Sequence, residues 1–374
     1  KQHRASGVFP AALHSKIMRF AFGIIALLTW AVLGRAVPAA TFQLKPYWVA
    51  LGDPSGEVDK DNSIASVECA EFSPDGQFIV AGSKRWAAVT LFRASDGGKI
   101  WQHPRDAEVE VVAFSRDGRY IAAAGEDNLV EILDPRDGRA MQSLELIAAA
   151  DGMRFTHDGR LLAIGDEGQG INLYRTADWK KLSRTIHGGS GQNAVNSIDF
   201  TKDDAFVATA GTNGEVKLWS LDGASGALSP LRTLACGATV KSVRISPDKK
   251  LVAAGIGRGG GVRVWTFPTG ELVAHIEAHT PPRMPKPVTM EAVEWTSDGA
   301  FLVTGGDEGQ KVGGPEDGIG TIRVYAAADL RQGKIAPVFE HRVFRQEYFH
   351  FASDGRRMLS AHEDGTVRVW AVER

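Results

Sequence analysis

One short pattern returns seven times along this chain, and a returning pattern limits the fold more than any local preference does. It starts at an apolar anchor and runs into a polar turn with an acid at fixed offset. The copies are FSPDG at Phe72, FSRDG at Phe114, FTHDG at Phe155, FTKDD at Phe200, ISPDK at Ile245, WTSDG at Trp295 and FASDG at Phe351. The anchors are separated by 42, 41, 45, 45, 50 and 56 residues. An alternating run follows each anchor and ends in a bulky side chain, at Phe92, Leu133, Tyr174, Trp219, Trp265, Tyr325 and Trp370. In the first unit, the period-2 pattern predicts strands over Val67 to Ser73, Gln77 to Gly82 and Ala88 to Phe92, with a short fourth near Ile100 and Trp101. Pro74-Asp75-Gly76 and Asp96-Gly97-Gly98 supply the turns. No segment after Thr41 carries a sustained helical period. Four strands of this length cannot bury both faces alone, but stacking against like neighbours in a closed ring does so and leaves only short edges.

These repeats resemble the WD-repeat family of β-propellers, whose units run about 40–45 residues over four strands. The resemblance covers residues 42–374. It implies an all-β, seven-bladed β-propeller of four-stranded antiparallel blades. It also implies a non-catalytic scaffold: a rigid platform for protein or peptide partners that needs no cofactor. The final unit stops at its third strand, and Tyr47 to Leu51 reads as the piece that completes it, so the expectation is closure by N-terminal strand pairing with the last blade. No unit has the literal Trp-Asp pair, since Ser220 follows Trp219 and Thr266 follows Trp265. The Gly-His dipeptide is missing as well. The family's internal His–Ser–Asp–Trp network is therefore expected to be mostly absent.

The first 40 residues follow a different rule. Arg19 precedes an apolar run of 14 residues, Phe20 to Leu33, with small residues at Val37, Ala39 and Ala40. This is the layout of a signal peptide over 18–40, and a run of that length falls short of the about 20 residues a membrane span needs. Residues 1–17 read as an extension, non-native or mis-assigned, ahead of a start at Met18; the propeller occupies 41–374. The expectation is a secreted or periplasmic protein of a bacterial envelope, monomeric, with no stable membrane insertion after cleavage. Without residues 1–40, 38 basic residues stand against 45 acidic ones, which disfavours nucleic acid as a partner.

Insertions gather on one face, where second-to-third-strand and blade-to-blade links open: 52–66, 187–193, 255–261, 279–289 and 305–320. Unequal elaboration of one face is the mark of a binding face in repeat proteins. The Pro-rich link 279–289 carries Arg283 and Lys286 as candidate contacts. Four residues before each anchor stand Glu68, Glu110, Asp151, Asn196, Lys241, Glu291 and Glu347. Rotational repetition sets equivalent positions in a ring, so these seven predict an acidic collar at the upper mouth of the channel, suited to a basic partner group. The alternative is a propeller enzyme such as a lactonase-like hydrolase using those carboxylates and a divalent metal. Dedicated motifs are missing: Asp59-x-Asp61 opens like a calcium loop but has Ile64 and Ala70 where Gly and Glu belong. An irregular calcium site on Asp307, Glu308, Glu316 and Asp317 stays open. Cys69 and Cys236 lie three blades apart and read as separate buried thiols. The histidines at 103, 157, 275, 350 and 362 read as surface or partly packed.

Overall fold

A computed structural model describes residues 41–51, 66–84, 87–188, 193–277, 289–306 and 319–374. The leader, the extension before it, and most of the long upper links, including Arg283, Lys286 and the acids at 307, 308, 316 and 317, lie outside the described residues. The described strands form seven antiparallel sheets of four. Their innermost members are Val67–Phe72, Val109–Phe114, Ala150–Phe155, Val195–Phe200, Val240–Ile245, Met290–Trp295 and Gln346–Phe351, each packed on the next and the last on the first. In the seventh sheet Gln43–Leu51 pairs with Thr366–Glu373 as the outermost strand. The all-β, seven-bladed wheel and its closure by the N-terminal strand are as the repeat predicts. A single turn of helix, Ala327–Leu330, is the departure from pure β structure among the described residues, and no described helix is long and apolar enough to cross a membrane.

The anchor motif works because its turn caps itself. A Ser or Thr after the anchor donates to the Asp two residues on, as in Ser115 Oγ to Asp117 Oδ1 at 2.8 Å and Ser246 Oγ to Asp248 Oδ1 at 2.7 Å. The same hydroxyl accepts the N–H that starts the second strand, from Tyr120 and Leu251, both at 2.9 Å. The residue that closes the turn sits at positive φ, +68° at Gly76 and +69° at Gly118. Where the motif reads FTKDD and ISPDK, Asp204 and Lys249 take that strained conformation at +56° and +55°.

Apolar clusters lie between blades. One joins Val67, Phe72 and Ile79 of the first blade to Leu359, Val369 and Ala50 of the seventh. The innermost strands still expose an edge toward the axis, and side chains from the preceding blade accept its N–H groups. Cys69 Sγ accepts from Val112 N at 3.0 Å, Asp199 Oδ2 from Ile245 N at 2.7 Å and His350 Nδ1 from Phe72 N at 3.0 Å. At the rim, Trp101 Nε1 of blade 1 donates to Pro135 O of blade 2 at 2.8 Å, and Trp48 Nε1 of the N-terminal strand repeats this on Ala94 O at 2.9 Å. The seam between the chain's ends is thus sealed at the rim in the same way as the junction of blades 1 and 2.

Two blades keep more of the family network than the dipeptides indicate. Trp219 Nε1 donates to Thr209 Oγ1 at 2.8 Å, beside His187 Nδ1 at 2.9 Å. Trp370 Nε1 donates to Ser360 Oγ at 2.9 Å, beside His362 Nε2 at 2.7 Å. His362 is wholly buried, which corrects its reading as a surface or partly packed ring. The hydroxyl–Trp pair needs only one residue on each of two adjacent strands, so it survives loss of the Asp.

Phe42 is buried between Phe301 and Phe339, with ring centroids 5.1 and 6.2 Å away. Phe42→Ala should cost about 3–5 kcal/mol in urea unfolding. Lys45→Ala, which removes a solvent-exposed pair with Glu373, should cost under about 1 kcal/mol. Equal small effects would mean the N-terminal strand does not hold the wheel shut.

Candidate binding site at the channel mouth

Each innermost strand skips one residue in its pairing. In the first blade Val67 pairs with Ser83 and Cys69 with Gly82, so Glu68 has no partner across the ladder. The same one-residue bulge isolates Glu110, Asp151, Asn196, Lys241, Glu291 and Glu347 in the other six. A bulge kinks the strand and re-aims the extra side chain. Here it turns all seven toward one cavity of about 310 Å³.

Two further acids, Glu126 and Glu167, and Lys84 join the lining. All three stand at one repeat position, directly after the second strand. The sequence reading missed this tier, although aligning the units on that position would have exposed it. Lys84 Nζ lies 3.1 Å from Glu110 Oε1 and 3.5 Å from Glu108 Oε2, and Lys241 Nζ lies 3.3 Å from Glu291 Oε2. Asn196 Nδ2 donates to Val240 O of the next blade at 2.8 Å. Deeper, Arg244 donates to Tyr348 Oη at 3.1 Å and closes the floor.

The carboxylates outnumber the amines, and burial makes that costly. Desolvation, with Glu167, Glu110 and Glu126 adding repulsion, raises Asp151 to about 7 against the relief offered by Lys241. Burial, then Glu291 and Glu68, push Glu347 well above the carboxylate range. Glu110 is raised by burial and Glu68. Burial opposes the charge on Lys241, but Glu291 and Glu347 outweigh it and the amine is held protonated. A mouth of this kind suits a cation that brings its own positive charge: an ammonium, a guanidinium or a hydrated metal. Glu108, Glu110 and Glu126 offer oxygens all within 4.8 Å of one another, yet Lys84 already sits against two of them. Cys69 also lines the cavity, but burial raises its thiol, so it offers little thiolate.

Folded Asp151 keeps its proton up to about pH 7, whereas an unfolded aspartate with pKa 3.8 releases it. Between those values the folded state binds more protons, so its stability falls as pH rises. Asp151→Asn should therefore raise the melting temperature at pH 8 and leave it nearly unchanged near pH 4. An equal shift at both pH values would show that the carboxylate's charge is not the cause.

Comparison with known proteins fits this architecture. The family described as WD domain, G-beta repeat, matches residues 180–220, 228–266 and 347–371, and the anaphase-promoting complex subunit 4 WD40 domain matches 70–158. The chain is 23% identical over 309 residues to telomerase protein component 1 of Rattus norvegicus, covering 82% of this chain and 9% of that protein. It is 25% identical over 333 residues to apoptotic protease-activating factor 1 of Danio rerio, covering 87% of this chain and 24% of that protein. It is 26% identical over 181 residues to pre-mRNA-processing factor 19 homolog 2 of Arabidopsis thaliana, covering 47% of this chain and 34% of that protein. The chain thus spans between 9% and 34% of the length of these relatives. Repeat matches on both sides of the wheel, together with seven four-stranded blades, support the WD-repeat family for this chain.

Proposed function

We propose that this propeller is a non-catalytic protein-interaction scaffold that takes a basic segment of a partner protein or peptide into its acidic channel mouth. The observation that carries the reading is the sevenfold bulge, which brings five acids, an amide and one lysine to a single cavity. Three of those acids, Glu68, Asp151 and Glu347, make no side-chain hydrogen bond or ion pair among the described residues, so their carboxyl oxygens are left for a ligand to meet, and a cation bound there displaces the proton that burial holds on Asp151 and Glu347. The long upper links, with Arg283 and Lys286, belong to the same reading as flanking contacts, on sequence alone. Export by a leader at 18–40 to a bacterial envelope also rests on the sequence pattern alone.

A second reading, a metal-dependent propeller hydrolase, is favoured by the close oxygens of Glu108, Glu110 and Glu126. It predicts a divalent ion in elemental analysis of purified protein, lost in Glu126→Gln. The ammonium of Lys84 against Glu108 and Glu110 makes the scaffold the better account.

A lysine- and arginine-rich peptide titrated calorimetrically should bind, with affinity that falls as salt rises. Neutralising Glu68→Gln, Asp151→Asn and Glu347→Gln together should weaken binding by about tenfold or more and flatten the salt dependence. An unchanged affinity in the triple variant would remove the collar from the interface.

A further inference from the structure

Below the collar, the residue just before each anchor forms a second ring: Glu71, Ala113, Arg154, Asp199, Arg244, Glu294 and His350. Arg116, from the lower turn of the second blade, joins this tier, since Glu71 and His350 each feel Arg154, Arg116 and Arg244 together. The ring looks balanced in charge, but its hydrogen bonds are not. Arg244 shows what a satisfied guanidinium needs here: it donates to Glu294 Oε2 at 2.8 Å, Ser197 Oγ at 3.1 Å, Val243 O at 2.8 Å and Tyr348 Oη at 3.1 Å.

The other two arginines have no such set. Arg116 makes no hydrogen bond or ion pair among the described residues, and its Nε is buried without an acceptor. Arg154 Nε lies 3.0 Å from Asp199 Oδ1, an ion pair whose angle makes no hydrogen bond. Its two terminal nitrogens have no protein acceptor among the described residues. The carboxylates nearby are already engaged. Asp199 Oδ2 accepts from Ile245 N at 2.7 Å. Glu294 accepts from Trp295 N at 3.0 Å besides Arg244, and Glu71 Oε2 accepts from Phe114 N at 3.1 Å. His350 adds one more donor. Its Nδ1 accepts from Phe72 N, so Nε2 carries the hydrogen, and that hydrogen meets no acceptor among the described residues. Burying guanidinium N–H groups without acceptors is costly, and Arg116, Arg154 and His350 are each only partly buried, so a small ligand can still reach them.

We propose that the lower half of the channel binds a small tetrahedral oxyanion of the phosphate or sulfate class between Arg116, Arg154 and His350, entering from the face of the short anchor turns. Two guanidiniums offer the paired N–H geometry that such oxygens accept, and the neutral imidazole adds a third donor. The site is separate from the collar: it takes the opposite charge and uses none of the seven bulged residues.

The test is thermal melting and calorimetry of the whole chain with inorganic phosphate or sulfate, against sodium chloride at matched ionic strength. A saturable rise in melting temperature with the oxyanions alone is expected, following ligand concentration as binding to the folded state requires. Arg116→Gln should weaken binding by about tenfold or more without loss of folding, because this side chain makes no hydrogen bond or ion pair among the described residues. Arg154→Gln should do the same, but its tie to Asp199 can disturb the ring, so Arg116→Gln decides. The Glu68, Asp151 and Glu347 triple variant should bind the oxyanion at least as well as the unaltered chain, which separates this site from the channel mouth. The same shift with matched chloride, no saturable shift at millimolar phosphate, or full affinity in Arg116→Gln would overturn the proposal.

Discussion

Everything in this molecule depends on a polar debt along the axis. A sheet of four strands has an inner edge, and in a closed ring that edge cannot be covered by another strand. The chain meets it with side chains from the preceding blade: Cys69, Glu71, Ser197, Asp199 and His350 each accept a backbone N–H of the next innermost strand. The interaction is directional, so it fixes the angle between blades as well as their contact. Apolar burial between sheets supplies most of the stabilisation, but burial alone would tolerate sliding. The edge bonds do not.

The same inner strands carry the chemistry. One bulge per blade rotates a single residue out of the ladder at the top, and the residue before the anchor faces the axis lower down. Two tiers of opposite character follow from one repeated strand geometry: carboxylates above, guanidiniums and an imidazole below, with Arg244 and Tyr348 between them. Separation along the axis keeps them distinct. The upper tier has more acid than its two lysines can neutralise, and the lower tier leaves arginine donors that its carboxylates do not meet.

Blade equivalence was legible in the chain because it needs only a period: seven anchors and seven terminators. The closing strand was legible too, because the last unit ends after three strands. The collar positions could be found by counting back from each anchor. Glu126, Glu167 and Lys84 could have been found by the same counting from the second strand. His362 was misjudged because a hydroxyl–Trp pair leaves no contiguous motif.

What the chain determined by itself is therefore the set of strands, their number and their order of burial, since alternation and turn chemistry act between near neighbours. Tertiary structure alone decided which residues escape the ladder, which amines neutralise which acids, and which guanidiniums are left without acceptors. The charge pairings join residues more than twenty positions apart across blade junctions, and within a blade a register shift of one residue sends a side chain to the opposite face. Spacing in sequence places such groups on a ring. Only the closed ring sets how far apart they stand and what each one can still bind.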